Sequence, residues 1–98
     1  MPLYSTQISV EIESQSENII ELWCWDFVTE AKSQEEAAET FLTHAKEGIF
    51  PDQYDMSSET KDSYKFWVGG VTYEYTLDEP METTEEAFKG MLYDQCKI

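Results

Sequence analysis

Carboxylates dominate the side chains of this sequence that could do chemistry. Twenty-one of the 98 residues are Asp or Glu, and paired carboxylates can act as general acid and base. No spacing marks one pair, and the sequence contains no Gly-x-Ser-x-Gly, phosphate-binding glycine loop or His-Glu-x-x-His. With His44 as the only histidine and no arginine, we predict no catalytic residues and a protein that is not an enzyme.

The sequence around the two cysteines and the histidine does not indicate a catalytic or metal-binding role for them either. Cys24 lies in a dense apolar run and Cys96 on a late apolar stripe, with no cationic neighbour that would lower a thiol pKa. We predict two buried, structural, free thiols. His44 follows Leu42 by two residues and falls off the helical stripe, so we expect a solvated side chain. A zinc site would need two more ligands.

Acidic residues also gather in the irregular stretch 51–62. Carboxylate oxygens suit a hard cation such as calcium, but the EF-hand spacing and its central glycine are missing. We favour a solvated acidic loop and expect no metal and no cofactor. A calcium site is the alternative, and it predicts a melting temperature that rises with calcium. The acids concerned are Asp52, Asp55, Glu59 and Asp62.

The formal net charge of −15 is the most unusual property of the chain, since its only basic residues are six lysines. Direct binding to nucleic acid needs a basic patch, and an anionic membrane would repel this chain. We therefore expect neither, and predict basic proteins or cations as partners. Solubility requires a net charge of only about 2–8. A generally solvated acidic surface and adaptation to salt are the alternatives.

Composition and length set the cellular and domain context. The N-terminal residues lack the basic and apolar regions of a signal peptide, and no apolar run approaches the length of a membrane span. We predict a soluble cytoplasmic protein. Residues 1–98 are enough for one domain, and the aromatic content of 14% favours folding despite the charge.

Hydrophobic periodicity predicts the elements that must position these side chains. Residues 3–13 alternate as a half-buried strand, and residues 19–29 form a second strand that is apolar on both faces. The short polar turn between them predicts antiparallel pairing. Residues 63–77 predict a hairpin whose tight turn is Gly69-Gly70.

Two capping boxes predict two helices. Ser33 with Glu36 begins the first helix, which Gly48 ends. Thr83 with Glu86 begins the second. The predicted order is ββαββα, an α+β fold with a four-stranded, mostly antiparallel sheet and both helices packed on one face. The apolar stripes of the two helices are Ala38, Phe41, Leu42, Ala45 and Ile49, then Ala87, Phe88, Met91, Leu92 and Cys96.

Three tryptophans could form a patch on this sheet. If the even-numbered apolar residues 20–28 face the helices, then Trp23, Trp25 and Phe27 lie on the opposite side, and Trp67 shares that face. One interpretation is a recognition patch, because Trp is favoured at binding hot spots. The other is a second covered face or a dimer core, because so aromatic a face is rarely left to water.

The distribution of acids suggests a use for the charge. Nine acids fall between residues 9 and 39, against Lys32 alone. Glu11 and Glu13 lie roughly 6.7 Å apart along one strand face, comparable to successive phosphates of one nucleic-acid strand. Glu35 and Glu39 form a like-charge helical pair that costs about 0.2–0.5 kcal/mol. Tolerating such pairs favours a negative field that steers the chain to a basic groove.

We therefore predict a non-enzymatic acidic binding protein that blocks a basic nucleic-acid-binding surface of a partner protein. In size and charge the chain resembles phage-encoded anti-restriction and anti-CRISPR inhibitors and inhibitors of DNA-processing enzymes. That resemblance implies a nucleic-acid mimic encoded by a phage or mobile element. The predicted partner-binding residues are Glu11, Glu13, Glu17, Glu21, Trp23, Trp25, Glu35, Glu36, Glu39 and Trp67.

The alternative function is a self-associating structural or adaptor domain. It would form a homodimer through the aromatic sheet face, and its acidity would serve solubility alone. Replacing Trp23 or Trp25 with alanine would then change the mass in solution, whereas the mimic hypothesis predicts a tight, salt-sensitive partner.

Overall fold

A computed structural model describes residues 1–17, 19–60, 62–90 and 92–98, and at residue 19 the backbone alone. It is an α+β fold with an antiparallel sheet and two α-helices. In chain order the elements are β1 (Leu3–Ser14), β2 (Ile19–Glu30), α1 (Gln34–Gly48), β3 (Met56–Glu59), β4 (Ser63–Val68), β5 (Val71–Leu77), β6 (Met81–Thr83), a 3-10 turn (Glu85–Phe88) and α2 (Tyr93–Cys96).

The sheet has six strands, and β1 lies near its centre. The order is β2-β1-β5-β4-β3, and β6 pairs with the start of β1. All these pairs are antiparallel. The registers of β1–β2 and β1–β5 are continuous. Side chains therefore alternate regularly between the two faces of the sheet along these strands. Strand β2 is one edge of the sheet and β3 is the other.

The core lies between the sheet and α1. Ile8 and Val10 of β1 pack with Ala45 of α1 and with Phe66 and Tyr75 of the hairpin strands. A second cluster joins α1 to the end of β2 through Ala31, Ala37 and Phe41. Phe27 packs against both clusters, and so fixes the last third of β2 under the helix.

The predicted first helix and the hairpin are both confirmed. The Ser33 hydroxyl accepts the Glu36 backbone N–H at 3.2 Å, which satisfies one of the free donors of the first turn. Helix α1 ends at Gly48, as predicted. Gly69 and Gly70 have φ angles of 56° and 83°, the positive values that the tight turn between β4 and β5 requires. The buried residues of α1 are Ala37, Phe41 and Ala45, so Ala38 of the predicted apolar stripe lies outside the core.

The predicted four strands and the order ββαββα are wrong, because the sheet contains two further short strands. Residues 51–62 include β3, whose four residues are all exposed and show no alternation of apolar and polar side chains. Strand β6 has three residues. Hydrogen bonding to a neighbouring strand stabilises both, and a burial pattern in the sequence does not reveal such pairing.

The predicted long C-terminal helix is also wrong. Thr83 belongs to β6, and the following 3-10 turn begins after Thr84, which makes no side-chain capping bond. Leu92 has a φ of 53°, so the backbone reverses there before the four-residue α2. After α2, Lys97 pairs with Val28 at the edge of β2. Met91 of the predicted stripe lies outside the described residues.

In the described part of the chain, no helix combines the length and the apolar character that crossing a bilayer requires.

Candidate functional site

Strand pairing sorts the candidate residues onto two faces of the sheet. Directly opposed residues of antiparallel strands share a face. Val10 lies opposite Trp23 and Tyr75, and its side chain is in the core, so these residues define the helix face. Glu11 lies opposite Leu22 and Glu74, which define the far face.

The predicted orientation of the aromatic residues is therefore reversed. Phe27 packs edge-on against His44 of α1, with ring centroids 4.8 Å apart, so Phe27, Trp23 and Trp25 are on the helix face. Trp67 pairs with Thr72 and lies on the far face, so the prediction that Trp67 shares a face with the other tryptophans is wrong. Strand β2 is apolar on both sides, and alternation alone could not choose between them.

The environments predicted for Cys24 and His44 are also wrong. Cys24 is exposed because β2 is an edge strand and no described element covers its far face there. His44 is half-buried against Phe27. Cys96 is half-buried rather than in the core, and Cys24 is a free thiol, as predicted.

The predicted acidic residues do not form one patch. Glu11 and Glu13 are exposed on the far face, while Glu21 is on the helix face, where its carboxylate accepts the Trp23 indole N–H at 3.3 Å. Glu17 lies in the turn after β1. The remaining predicted acids are exposed on α1: Glu35, Glu36 and Glu39.

A groove on the helix face is lined by both acidic and apolar residues. It has a volume of about 470 Å³ and lies between the start of α1, the start of β4 and the connection between β5 and β6. Phe41, Leu42 and Leu77 are among the residues at its base. Among the described lining residues none is basic, and four are acidic: Glu35, Asp62, Asp78 and Glu79. We call this the acidic groove.

Hydrogen bonds from backbone and side chains hold the walls of the acidic groove. The side-chain amide of Gln34 donates to the carbonyl of Pro80 at 2.6 Å, which ties α1 to the connection after β5. The Asp78 N–H donates to the Gln7 carbonyl at 3.1 Å, and the Asp78 carbonyl accepts the Thr6 hydroxyl at 2.6 Å. Asp78 thus supports the fold through its backbone, which leaves its carboxylate available to a ligand.

The Tyr64 side chain, in the wall of the acidic groove, responds to the negative field. Burial raises the pKa of the Tyr64 hydroxyl above its usual range, and the nearby carboxylates of Glu59 and Asp62 raise it further. Few cations offset this field. In the described part of the chain the one ion pair is Lys65 with Glu74, 3.6 Å apart on the far face.

A second hollow lies on the other side of Tyr64. It has a volume of about 450 Å³ and its walls include Phe50, Tyr54 and Phe66. The rings of Tyr54 and Phe66 are 5.0 Å apart, and those of Phe50 and Phe66 are also 5.0 Å apart. The hollow also contains Lys46, so it lacks the one-signed charge of the acidic groove.

The acids predicted as an alternative calcium site are not gathered around one point. Across residues 1–17, 19–60, 62–90 and 92–98, no three His, Cys, Asp or Glu side chains are grouped so that they could hold a metal ion. Asp62 instead lines the acidic groove, whereas Asp52 and Glu59 line the second hollow.

Sequence reasoning missed most of the acidic groove. Of its four acids only Glu35 was predicted to bind a partner. Asp78 and Glu79 directly follow the return strand of the hairpin and precede Pro80. The sequence therefore contained a signal, namely two adjacent acids at the end of a predicted strand. What it lacked was the pairing of β5 with β1, which brings this connection to the start of α1.

In comparisons with known proteins, no protein-family model, no curated protein and no solved structure matches the chain.

Proposed function

We propose that this protein is a non-enzymatic acidic binding protein that occupies a basic, nucleic-acid-binding surface of a partner protein. The observation that carries the proposal is the acidic groove, which four acids and several apolar residues line, with no basic residue among the described lining residues. The net charge of −15 extends the same negative field over the rest of the molecule.

The acidic groove suits a lysine or arginine side chain. The aliphatic part of such a side chain can pack on Leu42 and Leu77, while its charged end meets the carboxylates of Asp78 and Glu79. Hydrogen bonds between two charged groups are stronger than neutral ones, and arginine can bind a carboxylate with two parallel bonds. Lysine and arginine are also the residues that proteins use to bind phosphates.

The far face offers a second row of charge. Glu11 and Glu13 are exposed at neighbouring positions of one strand face, and Glu74 lies opposite Glu11. Successive residues on one face lie roughly 6.7 Å apart, close to the phosphate spacing of one nucleic-acid strand. Such a row can stand in for phosphates on a partner whose basic residues have the same spacing.

The first experiment identifies the partner. The tagged protein is incubated with lysate of the organism that encodes it, eluted with a salt gradient, and the eluate is analysed by mass spectrometry. We expect a basic nucleic-acid-binding protein that elutes as salt rises and that competing DNA or RNA displaces. A retained protein that nucleic acid does not displace would refute the mimic.

Matched charge reversals then test the acidic groove. We expect D78K/E79K to weaken binding of the identified partner by at least about tenfold. E85K/E86K changes the net charge by the same amount on the 3-10 turn, outside the acidic groove, and should have a smaller effect. Equal losses in the two variants would show that the groove has no special role. E11K/E13K tests the far face, and E35K/E39K tests α1, in the same assay.

A self-associating domain is the second candidate function. The aromatic face that it would use is divided, because Trp67 and Trp23 are on opposite faces. The exposed surface of β2 gives self-association a different basis.

A further inference from the structure

Strand β2 is an edge strand that the described residues leave open along most of its length. The sheet ends at β2, and the next segment to reach its outer side is the C-terminus, where Lys97 pairs with Val28. Residues 20–26 therefore form a free edge. Natural proteins usually protect such an edge with charged side chains, most often lysine, or with a proline, a bulge or a very short strand. Residues 20–26 contain two acids, Glu21 and Asp26, but no lysine, proline or bulge.

The outward backbone N–H and C=O groups of this free edge can form hydrogen bonds with another strand. The N–H of Ala31 donates to the carbonyl of Pro2, so the odd-numbered residues of β2 form the hydrogen bonds to β1. The N–H of Ile98 donates to the carbonyl of Val28, so the even-numbered residues point outward. Because this direction alternates along a strand, the N–H and C=O groups of residues 20, 22, 24 and 26 face away from the sheet.

Four apolar side chains of the free edge are exposed, two on each face of the sheet. The exposed fraction is 62% for Ile20, 69% for Leu22, 55% for Trp23 and 37% for Trp25. Together they present roughly 400 Å² of apolar surface, within the range of roughly 300–600 Å² that is typical of the largest patch on a monomer. One partner in a standard interface contributes about 800 Å², of which a little over half is apolar. The exposed apolar area therefore approaches what a stable dimer needs from each copy.

A second copy of the chain can pair along the whole free edge because the backbone groups of Trp23, at its centre, bond to β1. Antiparallel pairing that uses all of residues 20–26 places Trp23 opposite Trp23 of the second copy, and Leu22 opposite Cys24. Every outward-facing residue of one copy then meets an outward-facing residue of the other, as hydrogen-bonded pairs require. Glu21 meets Trp25, and Asp26 meets Ile20, so no two acids are directly opposed.

We propose that two copies of this protein pair through the free edge of β2 and form one continuous antiparallel sheet with a twofold axis at Trp23. The proposal does not depend on the function proposed above. Because the twofold axis is perpendicular to the sheet, the far faces of both copies lie on the same side. Glu11 and Glu13 of each copy would then extend one acidic surface across the dimer.

Sedimentation equilibrium of the full chain tests the pairing. We expect the mean mass to rise with concentration toward twice the chain mass of 11.4 kDa. Self-association should strengthen with salt, because salt screens the repulsion between two chains of net charge −15. Leu22→Lys should weaken it by at least about tenfold. Ser57→Lys places the same charge on β3 at the other edge, and should leave the mass unchanged.

A disulfide tests the register. Opposed residues at a non-hydrogen-bonded position have Cα atoms about 4.5 Å apart, which suits a disulfide. In a Cys24→Ser background, Trp23→Cys should therefore form a covalent dimer under mild oxidation. Ser57→Cys in the same background, with the same number of cysteines, should form no covalent dimer.

Several results would overturn the proposal. A wild-type mass that stays at one chain up to about 1 mM, at low and high salt, would exclude self-pairing. A dimer that Leu22→Lys does not weaken would place the interface elsewhere. A wild-type monomer that binds a basic partner, and loses it on Leu22→Lys, would assign the edge to that partner instead of a second copy.

Discussion

The two edges of the sheet are built in opposite ways. Strand β3 has four residues, and its side chains are small, polar or charged apart from Met56. Strand β2 has twelve residues and carries exposed Leu22 and Trp23 in its open part. Both edges have unpaired backbone groups, but only β2 adds a long apolar surface to them.

The difference shows which edge of the sheet is protected against pairing with another chain. A short polar strand offers few hydrogen bonds and little apolar area to another chain. Strand β2 is held by β1 on one side and by Phe27 under the helix, and no described residue pairs with its other side from residue 20 to residue 26. Strand β2 therefore offers more to a pairing strand than β3 does.

The largest expected effect tests the backbone directions along β2. Glu21→Pro removes an N–H that bonds to β1 and should lower the free energy of unfolding by about 3 kcal/mol. Leu22→Pro removes an outward N–H, and should cost less than about 1 kcal/mol in the monomer. Denaturant unfolding at low protein concentration measures both. Equal costs would show that the assignment of inward and outward residues is wrong.

A second pair of variants tests how much a side chain of each edge strand contributes to the free energy of unfolding. Phe27→Ala removes a half-buried ring that packs on both core clusters, and should cost about 2–3 kcal/mol. Met56→Ala on β3, where the side chain is 62% exposed, should stay within about 0.5 kcal/mol. Chemical denaturation again gives the values. A Phe27→Ala cost as small as that of Met56→Ala would mean that the helix does not anchor β2.

The smallest expected effect concerns the charge of the β3 edge. Glu59 lies opposite Tyr64 and raises the pKa of its hydroxyl, after the larger effect of burial. Because the pKa in the folded state is raised, the contribution of Tyr64 to stability is present below about pH 10 and falls as the pH rises above it. Glu59→Gln should lower the Tyr64 pKa and reduce the loss of stability at alkaline pH.

Absorbance titration of tyrosine, with unfolding measured at neutral and alkaline pH, checks that expectation. Glu85→Gln removes the same charge away from Tyr64 and serves as the control. An unchanged Tyr64 pKa in Glu59→Gln would mean that the edge charge does not act on the wall of the acidic groove.

The sequence predicted elements whose signals are local. The Ser33 cap, the Gly69-Gly70 turn and the alternation of β1 each depend on a few neighbouring residues. Strand β3 gave no signal because all its residues are exposed. The C-terminal stripe suggested a helix, but the backbone reversal at Leu92 interrupts it.

The candidate site was less predictable because its parts meet only through pairing of distant strands. Alternation along β2 could not say which of its two apolar faces meets the helix, and the register with β1 decides it. The same applies to Asp78 and Glu79, which reach Glu35 only because β5 pairs with β1. In both cases the missing information was a long-range contact, which local periodicity does not contain.

Hydrogen exchange of backbone amides at low and high protein concentration tests the central difference between the two edges. The outward amides of β2 include Leu22 and Cys24. On β3, the Thr60 N–H donates to the Ser63 carbonyl, so Ser57 and Glu59 point outward. We predict that exchange at Leu22 and Cys24 slows as concentration rises while exchange at Ser57 and Glu59 does not change. Equally fast exchange at both edges at high concentration would contradict the account.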